Sequence, residues 1–375
     1  MSRLSLPGAL KPAFVFLSLS GLYITPLKQC NCSSVLSFGV TFLISLSGVC
    51  LEAYETKLEA LSLLNLKPNL KNISLDLSTA LYSFSLLFLS VGQAISITRH
   101  FPKFVESAKT YFTRYDRSVN KMAVLVVSTL VSILAFVLSC LVGWFYSSMK
   151  FSGSSCSNLE EHTEDSVRTL CCVEKWRHFL TMHRSLLYLW APPILYSFLW
   201  FVLLIEMKRF HFDLAKHFVK ASGDKDYEYF RMRHAAICNL MDDANAVVGH
   251  FLFATYGVGI PVLLIALRSL IYGELSSTFT YVVMYIMVHY CATLVMVTLS
   301  GAVLAKQALR PAQILYEISI DSVSDREFRS LSMFLSRLQG GSIGFHVYGL
   351  FNIDNSTILM VLGTVVTYAV VILQF

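Results

Sequence analysis

The 375-residue sequence predicts an all-α polytopic membrane protein of seven transmembrane helices, with a cytosolic N-terminus, an extracellular C-terminus and cytosolic helical anchor regions. Three observations lead there. Hydrophobic residues make up 55% of the chain and charged residues only 14%, with mean hydropathy +0.59; soluble domains carry about a quarter charged residues. The apolar residues gather into seven runs, each suited to cross most or all of a ~30 Å hydrocarbon layer as a helix. Lysine and arginine are abundant in alternate loops and sparse in the others. The net charge of +6 reflects that loop bias and not a nucleic-acid surface.

Residues 1–34 are expected to form the cytosolic N-terminus and an interfacial segment, because Pro12, Gly21 and Pro26 interrupt the apolar run. Lys28-Gln29-Cys30 offers no small-residue cleavage site, so that run does not read as a cleaved signal peptide. Residues 35–205 hold the first four spans, at about 35–51, 73–97, 122–146 and 180–205. A basic connector covers 99–121, and an outer loop covers 147–178, with Glu160, Glu161, Glu164 and Asp165. Pro192-Pro193 is expected to kink the fourth span.

Residues 206–245 read as a cytosolic helical extension, and 246–304 as spans five (246–270, with Gly257, Gly259 and Pro261) and six (280–304). Residues 305–337 read as cytosolic anchor helices. There Ser324-x-x-Glu327 has the form of a capping box, and Phe328, Leu331, Leu335 and Leu338 share one face. Residues 338–375 supply the last span. Gly340-Gly341-Ser342-Ile343-Gly344 has the spelling of a nucleophile elbow, but it lies between a charged helix and a membrane span and reads as a hinge.

Orientation follows from the basic residues. Two lie in the N-terminus, six in 99–121, seven in 206–243 and five in 305–337, twenty in all; the alternate loops hold eight. The positive-inside rule places the first set in the cytosol. That is the inverse of a G-protein-coupled receptor, and Arg114-Tyr115-Asp116-Arg117 has the wrong order and position for that class's motif. A transporter would show repeats and midplane acidic pairs, which the spans lack. Nothing in the sequence carries enzyme chemistry, a cofactor site or metal-ligand spacing.

The last span is uncharged from 357 to 373, and Thr364, Thr367, Val371 and Gln374 fall on one narrow, weakly polar face. One copy would make a packing stripe, as Gly363-x-x-x-Thr367 also allows; several copies around an axis would make a pore with a cation-favouring mouth. Asp354, at the entrance, would attract cations or pair with a nearby base.

Thr367-Tyr368, five mostly apolar residues, then Gln374-Phe375 resembles the C-terminal signature of insect gustatory receptors, relatives of the insect odorant receptors. Gly349-Leu350-Phe351-Asn352-Ile353-Asp354 is similar to that family's entry into the last helix. The resemblance is specific over about the last 30 residues. It implies a tetrameric, ligand-gated, non-selective cation channel in the plasma membrane of chemosensory neurons. A small-molecule tastant would open it, a bitter compound slightly favoured over a sugar. The last helices would line the pore, with Val371, Gln374 and Phe375 at the constriction. Permeating cations, membrane lipid and other receptor subunits in a homo- or heterotetramer would be the partners. The alternatives are a metabotropic seven-helix receptor and an odorant-type subunit needing a co-receptor.

The family's pocket lies in the outer part of the first six spans. Asp76, Tyr82, Trp144, His183, Tyr188, Trp190, Tyr281 and Tyr285 there are either ligand-binding or members of an interfacial aromatic belt. Cys156 could pair with Cys171 or Cys172 in the outer loop, and of the sequons at Asn31, Asn72 and Asn355 only Asn72 faces outward for glycosylation.

Overall fold

The computed structural model describes residues 70–115, 165–220, 227–272, 277–318, 324–340 and 343–374, and within the first two stretches the side chains from 91 and from 189 onward. The expected spans at 35–51 and 122–146, together with Trp144 and Cys156, lie outside the described residues. Helix α1 runs Leu70–Arg114, α2 Asp165–Lys220 and α3 Tyr227–Phe253. A π-helical turn, Ala254–Val258, leads into α4, Gly259–Tyr272. Then follow α5, Ser277–Leu309, the short α6, Pro311–Tyr316, and α7, Asp325–Gly340. A two-stranded antiparallel pair, β1 His346–Val347 and β2 Phe351–Asn352, precedes α8, Asn355–Gln374. That hairpin is the one strand pair among the described residues of an otherwise helical fold, as expected.

The helices are longer than their apolar runs. Helix α2 has 56 residues and α1 has 45, or about 84 and 68 Å at 1.5 Å per residue, more than twice the hydrocarbon thickness. Hydropathy marks only the stretch that meets lipid. The acidic residues of 147–178 suggested a loop to its end, yet α2 already begins at Asp165. Likewise α1 continues through most of the 99–121 connector, because Ile97, Phe101, Phe104, Ala108 and Tyr111 recur at helical spacing and are all buried. Helix α2 passes through Pro192-Pro193 unbroken; Ser197 Oγ donates to the Pro193 carbonyl at 2.8 Å.

One end of the bundle carries the expected extensions and is called here the basic end. There α1, α2 and α3 pack together and α7 closes on α3 and α2, where the Phe210 ring meets those of Phe230 and Phe334 edge to face at 6.1 and 6.4 Å. The capping box forms: Ser324 N–H donates to Glu327 Oε2 at 2.9 Å. Phe328 is 45% exposed, so the buried stripe of α7 is Leu331, Phe334 and Leu338, with Leu335 beside it. A one-residue shift in the expected face accounts for the difference.

Helix α1 binds α3 by polar contacts as well as packing. Ser96 Oγ donates to the Ala246 carbonyl at 2.7 Å, and Gln93 Nε2 to that of Val247 at 3.2 Å. Pro261 has no N–H to give, and the π turn just before it shifts the hydrogen-bond register, with Gly259 N–H donating to the Ala254 carbonyl.

Candidate functional site: an aromatic cluster and the terminal helix

Two of the sequence-selected aromatic residues meet. Trp190 on α2 donates its indole N–H to Tyr285 Oη on α5 at 3.0 Å. Positions 285 and 289 are one turn apart on α5, so His289 lies under the same pair. Its ring centroid is 4.9 Å from that of Trp190, edge to face, and 6.4 Å from that of Tyr285. His289 is buried, and Thr293 Oγ1, one turn further on, is 3.5 Å from its Nε2. Tyr290 packs with Val262 and Ile286 between α4 and α5.

His289, Tyr290 and Thr293 were not singled out from sequence, although 285, 289 and 293 lie along one helical row. The arrangement offers ring faces and edges with a small set of hydrogen-bonding groups, the chemistry that small aromatic or polyhydroxylated molecules use. Tyr281 stands apart, 62% exposed. Asp76, Tyr82 and Asn72 fall on α1, and Cys171, Cys172, His183 and Tyr188 on α2, at positions whose side chains are outside the described set.

From this cluster a packed route leads toward α8. A Cβ on Gly259 would lie 3.0 Å from Tyr290 Cδ1, so the start of α4 sits directly on that ring. Within the π turn, Tyr256 Oη is 3.0 Å from Thr298 Oγ1 of α5, and the Tyr256 ring meets Phe351 of β2 edge to face at 5.3 Å. The hairpin itself is fixed from three sides. Asn245 Oδ1 accepts from His346 N–H at 3.0 Å, Ile353 N–H donates to the Phe345 carbonyl at 2.8 Å, and Tyr348 Oη meets His250 Nδ1. Tyr348 and Gly349 both have positive φ, 48° and 74°, and Leu350 N–H closes the turn on the Val347 carbonyl at 2.9 Å.

Asp354 is the N-cap of α8. Its Oδ1 accepts from Ser356 N–H at 2.8 Å, Ser356 Oγ at 2.6 Å and Thr357 N–H at 3.2 Å. These bonds, Ser356 Oγ foremost, hold its carboxyl below the usual aspartate range. Capping is the carboxylate's observed use, and it is compatible with the cation attraction considered from sequence.

Helix α8 is 20 residues without a charge, and it is covered along one side. Thr357 and Val361 are buried, and Tyr272 of α4 donates from Oη to the Ile372 carbonyl at 3.2 Å. Much of the rest is open: Leu359 is 73% exposed, Leu362 59%, and Tyr368 and Val371 are also exposed. Of the pore-face candidates, Thr367, Val371 and Gln374 lie on this open side. Thr364 is half-buried, with Oγ1 donating to its own Met360 carbonyl at 2.8 Å. Phe375 lies outside the described residues.

The family model described as "7tm Chemosensory receptor" matches residues 31–375. No curated protein matches the chain. Among solved structures, the insect olfactory receptor OR5 from Machilis hrabei in complex with eugenol is similar, with TM-score 0.72 over 98% of this chain and 98% of that chain at 13% identity. A second structure of the same receptor gives 0.70 with the same identity and coverage. At that identity the likeness is one of fold.

Proposed function

The chain belongs to the 7tm chemosensory receptor family, a family of receptors and not of enzymes, and from that premise we propose that it is a gustatory receptor subunit acting as a ligand-gated, non-selective cation channel. The observation that carries the reading is α8: a 20-residue uncharged helix, mostly uncovered within its own chain, over the part of the sequence that carries Thr367-Tyr368…Gln374 with Phe375 following. Copies of α8 around a common axis would cover that open side and turn Thr367, Val371 and Gln374 toward a pore. The assembly is a homo- or heterotetramer in the plasma membrane of chemosensory neurons, its N-terminus in the cytosol on the strength of the basic-loop bias.

The ligand is a small-molecule tastant, held at the outer end of the bundle around Trp190, Tyr285 and His289. Binding there spreads the α2–α5 contact and moves the π turn through Tyr290 and Gly259. Tyr256 and Phe351 pass the movement to the hairpin, and the hairpin turns α8. Helix α8 is the two-state element that such a coupling needs. The similarity of fold to an olfactory receptor complexed with eugenol supports a second reading, an odorant-type subunit working with a co-receptor.

Whole-cell current in cells expressing the chain, challenged with bitter compounds, sugars and volatile phenols, tests these readings. Ligand-evoked cation current is expected, with its ion selectivity altered by Gln374→Ala and the current itself abolished by Val371→Trp. Current indifferent to both changes removes α8 from the pore. Current that appears only beside a second receptor subunit selects the odorant-type reading. An N-terminal tag reached by antibody in unpermeabilised cells would overturn the orientation.

A further inference from the structure

We propose that a groove at the basic end of the bundle, between the end of α5, α6 and the start of α8, binds a phosphate-bearing, hydroxylated lipid headgroup of the phosphoinositide class. The groove encloses about 840 Å³, and Lys306, Gln307, Arg310, Gln313 and Ser356 supply most of its polar lining. That volume falls in the range of about 300–1,000 Å³ typical of small-ligand sites.

Charge is the first argument. Lys306 and Arg310 are four residues apart at the α5 terminus, both exposed, and among the described residues neither is in an ion pair. Four other bases at this end are committed: Lys103 to Asp243 at 3.0 Å, Arg209 to Glu206 at 2.9 Å, Arg231 to Glu228 at 2.6 Å and Arg233 to Asp213 at 2.8 Å. The carboxylate in the groove wall, Asp354, is occupied in capping α8. Two cations against one carboxylate leave the groove net positive.

Depth is the second argument. Asp354 and Asn355 stand at the threshold of the uncharged α8, so the groove lies where bilayer meets water. Val303 and Leu309, 43% and 39% exposed, give its wall an apolar side suited to acyl chains. A soluble anion has no use for that side, and a lipid does. Gln307 supplies the third. Its side-chain amide, beside that of Gln313 in the same lining, offers donors and acceptors to the hydroxyls of an inositol ring, which a choline headgroup lacks. The proposal needs α8 to lie in the membrane but not to line a pore, so binding and current fail separately.

Native mass spectrometry of the full-length protein in detergent tests it. The probes are phosphatidylinositol monophosphate and, at equal mole fraction, phosphatidylcholine. Wild type should retain the first in preference. Lys306→Gln and Arg310→Gln should each lower retention about fivefold, the scale of one basic residue at an anionic lipid surface. Thermal unfolding without lipid should stay the same. Equal retention of both lipids, or unchanged retention in the double variant, overturns the proposal. Displacement of the lipid by an equal concentration of inorganic phosphate would assign the site to a free anion. Unchanged retention with loss of the oligomer on size exclusion would make the groove a subunit contact.

Discussion

Gly301 sits where α5 passes beneath the hairpin, and a Cβ there would lie 2.5 Å from Ile353 Cγ2. Ile353 is fully buried, so neither side has room to yield. Gly301→Ala is expected to destabilise the protein by about 1–3 kcal/mol, as overpacking does. Ile353→Ala alone leaves a cavity and costs about 2–5 kcal/mol. The double variant should lose clearly less than the two losses added, because the new methyl partly fills the new space. Thermal unfolding in detergent measures all three, and strict additivity would mean that the two residues do not touch. None of this was legible in sequence, where Gly301 is one small residue in an apolar run. Trp190 and Tyr285 were legible as candidates from type and position. Their partner His289 follows only from the helical row on α5, once the Trp190–Tyr285 bond is seen.

The start of α8 is an element in its own right, built by Asp354, Ser356 and Thr357. Thr357 Oγ1 donates to the Asn352 carbonyl at 2.7 Å, and Asp354 N–H donates to Thr357 Oγ1 at 3.2 Å, so cap and hairpin brace each other. Asp354→Ala should cost about 1 kcal/mol, while Asp354→Asn, which keeps an acceptor, should cost less. The folded carboxyl titrates below its ordinary value. Its stabilisation is therefore complete above the unfolded aspartate pKa and is lost as pH falls through the lower folded value. Melting of wild type and Asp354→Asn from neutral to acid pH should show wild type losing its advantage only there; a constant gap would remove charge from the account. Sequence gave good notice of α8 because an uncharged 20-residue run has few other readings. It hid the true ends of α1 and α2, because charged residues flanking a buried stripe look like a loop until helical spacing is counted. The hairpin was hidden for a related reason: Tyr348 with φ of 48° is a conformation that residue type does not advertise.

At the scale of the whole molecule, the basic end is held by a buried ionic group that joins three helices. Arg233 of α3 is fully buried; its Nη1 donates to Asp213 Oδ2 of α2 at 2.8 Å, its Nε is 3.4 Å from Tyr111 Oη of α1, and its guanidinium lies 5.5 Å from the centroid of Phe210. Tyr111 Oη is also 3.5 Å from Glu206, itself paired with Arg209. A buried pair is weak evidence of net stability, but breaking one costs more than removing both, because a buried charge is left unmatched. Asp213→Ala is therefore expected to lose about 3–5 kcal/mol, somewhat less if water reaches through the exposed side of Asp213. Arg233→Met with Asp213→Leu should recover most of it. The comparison separates two roles that one variant confuses. If the apolar pair restores both the melting temperature and the ligand-evoked current proposed above, the group only ties α1, α2 and α3 together. If stability returns while the current stays altered, the group belongs to the gating transition, since the fold is intact and the polar contacts alone are gone. A double variant as unstable as Asp213→Ala would show that Tyr111 and Glu206, still polar and now facing methylene groups, need Arg233 more than Asp213 does.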